Sequence, residues 1–239
     1  MSRSRRLALI GLGKMGTVLS QLAPQRGWEV VATIRADSNR EGSGITRATL
    51  NGADVAIDFT VPNAAVANVR AAVAAGCPVV VGTTGWHREL PSLSQWVAAH
   101  HGALLTAANF SLGVNAFEQI VALAARLLAG AGDFDAHLIE THHSAKKDAP
   151  SGTAVTLEAA ARTGWPRDIP ITSVRTGWVP GTHELVFDAP FETVTLTHLA
   201  RDRRVFAEGA LVAAGWLIGR EGVFTMRDVL TPDAGAQNR

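Results

Sequence analysis

The segment Glu140-Thr141-His142-His143-Ser144-Ala145-Lys146-Lys147-Asp148-Ala149-Pro150-Ser151-Gly152-Thr153 is the most polar cluster in the chain. It combines imidazoles suited to proton transfer near neutral pH with ammonium groups that hold anions. Pro150-Ser151-Gly152-Thr153 reads as the opening of a helix whose first N–H groups, helped by the Thr153 hydroxyl, bind a carboxylate. Adjacent His142 and His143 cannot both face inward on one strand, and without further ligands they make a poor metal site. An exposed loop without chemistry is the alternative reading. Lysine usage argues against that alternative. Of the 22 Lys and Arg residues, only Lys14, Lys146 and Lys147 are lysine. A chain that writes nearly every cation as arginine keeps lysine only in the segments suspected of function, which suggests that a compact ammonium is required there.

The other such segment is Gly11-Leu12-Gly13-Lys14-Met15-Gly16, a complete G-x-G-x-x-G between an expected strand and an expected helix. In that setting glycines admit a dinucleotide pyrophosphate to the backbone, and the helix N terminus supplies N–H donors and a favourable dipole. A purely structural glycine turn is the alternative. An acidic residue some ~20 positions on, at the end of the second strand, would accept from the ribose hydroxyls of NAD. Here that place offers Arg35, suited to a 2′-phosphate, with Asp37 two residues later as an acceptor for hydroxyls. Three more turns follow expected strands at their carboxyl ends: Asp58-Phe59-Thr60, Gly82-Thr83-Thr84-Gly85-Trp86 and Asn109-Phe110-Ser111. Their small and hydroxyl residues admit a nicotinamide ribose or carboxamide, and Phe110 can pack on the ring.

These residues must be carried by elements, and the apolar pattern names them. Leu7 to Gly11, Glu29 to Ile34, Ala53 to Phe59, Pro78 to Gly82 and Ala103 to Ala107 read as strands. Between them, the runs from Met15 to Leu22, Asn63 to Ala75 and Leu90 to His101 read as helices. This alternation predicts a doubly wound parallel sheet over about the first 110 residues. After Asn109 the texture changes. Ala116 to Leu128 and Ser151 to Thr163 read as helices, and Ala136 to Thr141, Ile171 to Trp178, His183 to Phe187 and Glu192 to Leu199 as strands. Turn signals such as Pro180-Gly181 predict a mixed or antiparallel sheet and an α+β second domain. Val205 to Ile218 reads as a final apolar helix, followed by a frayed end after Leu230.

Composition narrows the class. The chain has 239 residues, 47% hydrophobic and 18% charged, with a formal net charge of +1. That supports one or two ordinary globular domains and gives no basic excess to attract nucleic acid or an anionic membrane as the main partner. The basic start lacks the cleavage site of a signal peptide, and the uncharged run from Ala71 to Trp86 is broken by Gly76, Pro78, Gly82 and Gly85, so no membrane span is expected. The single cysteine, Cys77, sits among apolar neighbours and reads as a buried structural thiol in a reducing cytoplasm.

From GLGKMG through DFT, GTTGW and AANFSLGVN to E-x-HH-x-x-K-x-DAPSGTA, GTHELVF and the closing MRDVL, the chain resembles the 4-hydroxy-tetrahydrodipicolinate reductase (dihydrodipicolinate reductase) family. The resemblance implies reduction of a cyclic hydroxy dicarboxylate, with loss of water, by NADPH or NADH in diaminopimelate and lysine synthesis. It implies a Rossmann domain (1–109 and 205–239) completed by the C-terminal helix, an inserted substrate-binding and oligomerisation domain (110–204), hinge closure, and a homotetramer. His142 is then the general acid/base and Lys146 its catalytic partner. His143, Lys146, Ser151, Gly152 and Thr153 hold the substrate carboxylates. Gly11, Gly13, Lys14, Met15, Gly16, Arg35, Gly82, Thr83, Thr84, Ala107, Asn109 and Phe110 fall in cofactor-binding segments. The chain departs from many members in a first glycine loop one residue shorter and in Ile34-Arg35, where they carry Glu or Asp. The departure implies that NADPH serves at least as well as NADH. Other two-domain dehydrogenases, such as aspartate dehydrogenase, or a non-enzymatic dinucleotide sensor, would share the glycine loop without needing the His/Lys segment.

Overall fold

The computed structural model describes residues 4–231, so the expected frayed end lies almost wholly outside the described residues. The chain divides into two compact units, one of residues 1–111 and 206–239 and one of residues 112–205.

The first unit holds strands β1 (Arg5–Ile10), β2 (Trp28–Ile34), β3 (Val55–Asp58), β4 (Val79–Val81), β5 (Ala103–Thr106) and β10 (Gly222–Phe224). They form one parallel six-stranded sheet in the order β10-β5-β4-β3-β1-β2. Every residue of β3, β4 and β5 is buried, as expected of parallel strands covered by helices on both faces. The helices are α1 (Lys14–Leu22), α2 (Pro62–Ala74) and α3 (Leu90–Ala99), joined by α6 (Arg204–Leu217) and α7 (Met226–Leu230). Helix α2 starts with Pro62 in its first turn, where a missing N–H costs nothing, and buries Ala65, Asn68, Val69, Ala72 and Val73 along one stripe. Strand order reverses direction between β1 and β3, whose ends pair as Ile10 with Asp58. The glycine loop and the Asp58-Phe59-Thr60 turn leave the sheet there, at the switch point where open α/β sheets bind ligands.

Two expectations are corrected. The helix from Val205 to Ile218 is not the last element, because β10 and the short α7 follow it. The C-terminal segment therefore contributes an edge strand as well as helix, with Gly222 to Phe224 paired in parallel with Ala103 to Leu105. Three residues are too few to show a period. The strand expected from Ile171 to Trp178 stops at Arg175, since Gly177 adopts a positive φ and Trp178 turns outward, 95% exposed.

The second unit packs α4 (Leu112–Leu128) and α5 (Gly152–Arg162) with a four-stranded sheet in the order β7-β6-β8-β9. Its strands are β6 (Asp135–His142), β7 (Ile171–Arg175), β8 (Thr182–Ala189) and β9 (Glu192–Leu199). β6 and β7 run parallel, while β6, β8 and β9 are antiparallel, so the sheet is mixed. The core joins Phe117, Val121, Leu138, Leu157, Trp165 and Phe187. Along β6, Ala136, Leu138, Glu140 and His142 share the buried face. That face is apolar at its first two positions and ionisable at its last two.

Candidate active site

At the switch point the first turn of α1 is left uncapped by any side chain. Its N-cap, Gly13, offers none, and no acidic residue stands in the turn. The N–H groups there are arranged to receive an anion. A methyl group added at Gly16 would lie 2.1 Å from the Gly11 carbonyl oxygen, so this glycine is what lets the loop close on itself. At Gly13 a methyl would meet no protein atom within 4 Å. Space is thus left beside the middle glycine, where a pyrophosphate has to approach, and the loop fits a dinucleotide. Lys14 is exposed and Met15 half-buried at the same helix start.

Asp58 ties the neighbouring turns together. Its fully buried carboxylate accepts from the Thr60 amide (3.0 Å) and hydroxyl (2.7 Å), the Thr83 hydroxyl (2.9 Å) and the Asn68 amide (2.8 Å). Burial raises its pKa, and those hydrogen bonds oppose the rise. Asn68 in turn accepts from Asn39, on the segment that follows β2. Thr83, expected to face the cofactor, spends its hydroxyl inside this network and also accepts from the Thr60 amide at 2.8 Å. Gly82 is explained by the Phe59 ring, which fills the place of its missing side chain. Phe59 meets Phe110 edge to face at 5.9 Å. Thr84 and Arg35 are exposed, Ala107 is half-buried, and the Asn109 side chain accepts from the Ser111 amide. All of these residues lie in the first unit, and all but Asn68 of α2 and Asn39 lie at or just beyond the carboxyl ends of β1 to β5.

In the second unit β6 delivers the ionisable cluster. Glu140 is 0% exposed and sits between Ser173 of β7 and His183 of β8 in the strand register. Arg175 grips it with two nitrogens, at 2.6 and 3.0 Å, and His142 Nδ1 contacts its Oε2. Burial alone would raise the Glu140 pKa, but hydrogen bonds from Arg175, Ser173 and His142 outweigh it and carry it down to about 2. Burial lowers the His142 pKa, against the upward pull of Glu140 and together with the like charges of Lys146 and Arg175. His183 lies edge to face with His142 at 5.2 Å and is pushed down to about 4, first by burial and then by the neighbouring His142. A buried imidazole whose Nδ1 meets an ionised carboxylate is built to exchange a proton through its other nitrogen.

The loop after β6 carries the remaining expected residues. His143 and Ser144 donate backbone N–H groups to Val179 and Gly177. Arg175 also reaches the Asp148 carbonyl at 2.6 Å, holding the loop to the strand that holds Glu140. The Lys146 ammonium pairs with both oxygens of Asp148 at 2.8 Å. Ser151 acts as the N-cap of α5: its hydroxyl accepts from the Ala154 amide and contacts His183 Nε2, and its own amide donates to Glu140. Gly152 and Thr153 are the first two residues of that helix. Glu140, Arg175, His183 and Gly181 belong to the cluster, although type and spacing assign none of them a role. Glu140 had a readable signal, since residues two apart on a strand share a face. The others are brought in by strand register.

Family models described as dihydrodipicolinate reductase, N-terminus and C-terminus, match residues 5–110 and 113–230. A 4-hydroxy-tetrahydrodipicolinate reductase of Christiangramia forsetii is 36% identical over 237 residues, covering 94% of this chain and 97% of its own. Its namesake from Methanoregula boonei is 42% identical over 193 residues, 74% of each chain. Among solved structures, a dipicolinate-bound dihydrodipicolinate reductase from Paenisporosarcina sp. TG-14 shares the fold, with a TM-score of 0.76 and 22% identity over 92% of this chain and 97% of that one. An amine dehydrogenase from Mycobacterium smegmatis is similar in fold at a TM-score of 0.64 and 10% identity, over 95% of this chain and 96% of its own.

Proposed function

This chain belongs to the dihydrodipicolinate reductase family and reduces 4-hydroxy-tetrahydrodipicolinate with a nicotinamide dinucleotide, and we propose that His142 and Lys146 are the groups that serve the reaction. The observation that carries this assignment is the buried Glu140–His142 contact, which lies next in sequence to the loop bearing Lys146. The first unit holds the dinucleotide, through Gly11, Gly13, Lys14, Met15 and Gly16 at the helix start and through Arg35, Thr84, Ala107, Asn109 and Phe110 at the strand ends. When bound, the dinucleotide supplies the hydride. The second unit holds the substrate. Lys146 and His143 neutralise its carboxylates, and Gly152 and Thr153 donate from the first turn of α5. The substrate hydroxyl leaves as water to give a conjugated bond, and His142 gives a proton to the carbon that becomes electron-rich when that bond is reduced, regaining it from solvent. The engaged hydroxyls of Ser151 and Thr83 support an architectural role for these two residues. Dipicolinate, a planar dicarboxylate, is bound by the Paenisporosarcina relative, and this chain takes a ligand of the same class.

The chain assembles as a homotetramer through the face of the second sheet opposite α4 and α5, where Val174 and Leu199 are 37% and 58% exposed. It works in the cytoplasm, where a single buried thiol, with its pKa pushed up to about 12, stays reduced and inert. Among the described residues no helix is long and apolar enough to cross a membrane. The test is oxidation of NADPH or NADH by the folded chain on addition of freshly generated 4-hydroxy-tetrahydrodipicolinate, with pyridine-2,6-dicarboxylate competing against substrate. Absence of turnover, or turnover indifferent to the dicarboxylate, overturns the assignment.

A further inference from the structure

We infer that Glu140 is a positioning residue for the reaction: its buried carboxylate fixes the Nδ1–H form of His142 and so makes Nε2 the nitrogen that delivers the proton. The inference rests on the assignment of His142 as the proton donor. Glu140 and His142 stand two apart on β6 and face the same side, so the strand itself sets their contact. Glu140 is not there to hold charge near solvent, because it is 0% exposed and both of its oxygens are engaged. Oε1 takes Arg175 and the Ser151 amide, while Oε2 takes Arg175 and His142. A carboxylate held this way stays ionised and acts only as an acceptor, which obliges Nδ1 to carry hydrogen. On the far side of the ring, Gly181 leaves room: a methyl group there would stand 3.0 Å from Nε2. The ring is thus pinned at one nitrogen and given space at the other.

The proton balance follows. The imidazolium gives its Nε2 proton to substrate carbon and becomes neutral imidazole, keeping Nδ1–H against Glu140, which is never protonated. The charged or titratable groups facing His142 are Glu140 from its own strand, Arg175 from β7, His183 from β8 and Lys146 from the following loop. Asp148 is paired with Lys146, and His198 of β9 stands opposite His183. Among those that act on His142, Glu140 alone favours the imidazolium. Removing its charge leaves burial and two cations to disfavour the acid form.

The experiment compares the pH dependence of kcat for the full-length chain and for Glu140→Gln, which preserves shape. A loss on the order of 10² in kcat near neutral pH is expected, with the alkaline limb of kcat moved toward acid by about one pH unit and KM for the reduced dinucleotide within about twofold. A merely structural role would lower kcat at all pH values and leave the limb in place, and that result overturns the inference. Nitrogen NMR of the unsubstituted protein decides independently of whether the variant folds. Neutral His142, identified by the resonance lost in His142→Gln, must carry hydrogen on Nδ1, and finding it on Nε2 overturns the inference. Full turnover by His142→Gln would instead defeat the assignment of His142. A dead His142→Gln beside an unmoved limb in Glu140→Gln defeats only the role given to Glu140.

Discussion

At the residue scale, Lys146, the cation proposed to hold a substrate carboxylate, is itself kept in place by a neighbour. Its ammonium pairs with Asp148, whose side chain is 61% exposed. Such exposed pairs are worth about 0–1 kcal/mol, so a substrate carboxylate can take Asp148's place at small cost. Lys146→Ala is expected to lower kcat on the order of 10²-fold while leaving dinucleotide affinity unchanged. Lys146→Arg is expected not to restore it, because a planar fork misplaces what a point charge holds. Lys147 is exposed, and Lys147→Arg should be silent in the same assay. The reverse pattern would show that the wrong lysine had been chosen. Arg35 is exposed just past the end of β2. If it reads the 2′-phosphate, Arg35→Ala should raise KM for NADPH about tenfold, the worth of a charge-assisted hydrogen bond, and leave KM for NADH nearly unchanged. Equal losses with both cofactors would remove Arg35 from that role.

Elements decide whether these groups meet. Strand β6 supplies Glu140 and His142, but β7 brings Arg175 to them, and β8 with the turn before it brings His183 and Gly181. At Gly181 φ is +156°, and an alanine there would both strain the backbone and crowd His142 Nε2. Gly181→Ala should therefore lower kcat by about tenfold or more, with dinucleotide KM intact. Unchanged turnover would show that Nε2 does not work on that side. The same cross-strand packing makes the second unit sensitive to acid. His183, held near a pKa of about 4, resists protonation in the folded chain, so the unfolded chain takes up that proton first as pH falls below 6.5. Stability is lost between about pH 6.5 and 4, by at most about 3 kcal/mol. A second loss follows below 4.5, as pH falls toward the value of about 2 at which Glu140 protonates. Melting temperatures at pH 7 and pH 4.5 should differ, and His183→Gln should narrow the gap. An equally steep loss in that variant would place the acid sensitivity elsewhere.

For the whole molecule, each unit offers a different set of groups. The parallel sheet offers a helix N terminus, and the mixed sheet offers an ionisable face and a second helix start. Assembly belongs to this scale too. In the second sheet Leu138, Leu185, Phe187 and Leu196 face the core on one side, while the other side leaves Val174 and Leu199 exposed. Sedimentation should report a tetramer for the unsubstituted chain, and Val174→Lys combined with Leu199→Lys should dissociate it without unfolding the protomer. A monomeric unsubstituted chain would end the tetramer proposal.

The sequence by itself determined the glycine loop, the alternating elements of the first unit and the polar segment from Glu140 to Thr153. Each of these is written in contiguous residues with a local period or a local turn requirement. It could not announce β10, whose three residues are too short for any period. It could not give Thr83 and Ser151 their hydrogen-bond partners either, because Asp58 and His183 arrive from elsewhere in the chain. Tertiary structure also decided that Arg175, 35 residues beyond Glu140, would neutralise it. Register between paired strands follows from which faces bury together, and burial is a property of the folded sheet, not of any one strand. The contact of His142 with Glu140 is therefore legible in the two-residue spacing on β6, while the Arg175 and Ser151 groups that hold Glu140 itself come from outside that strand.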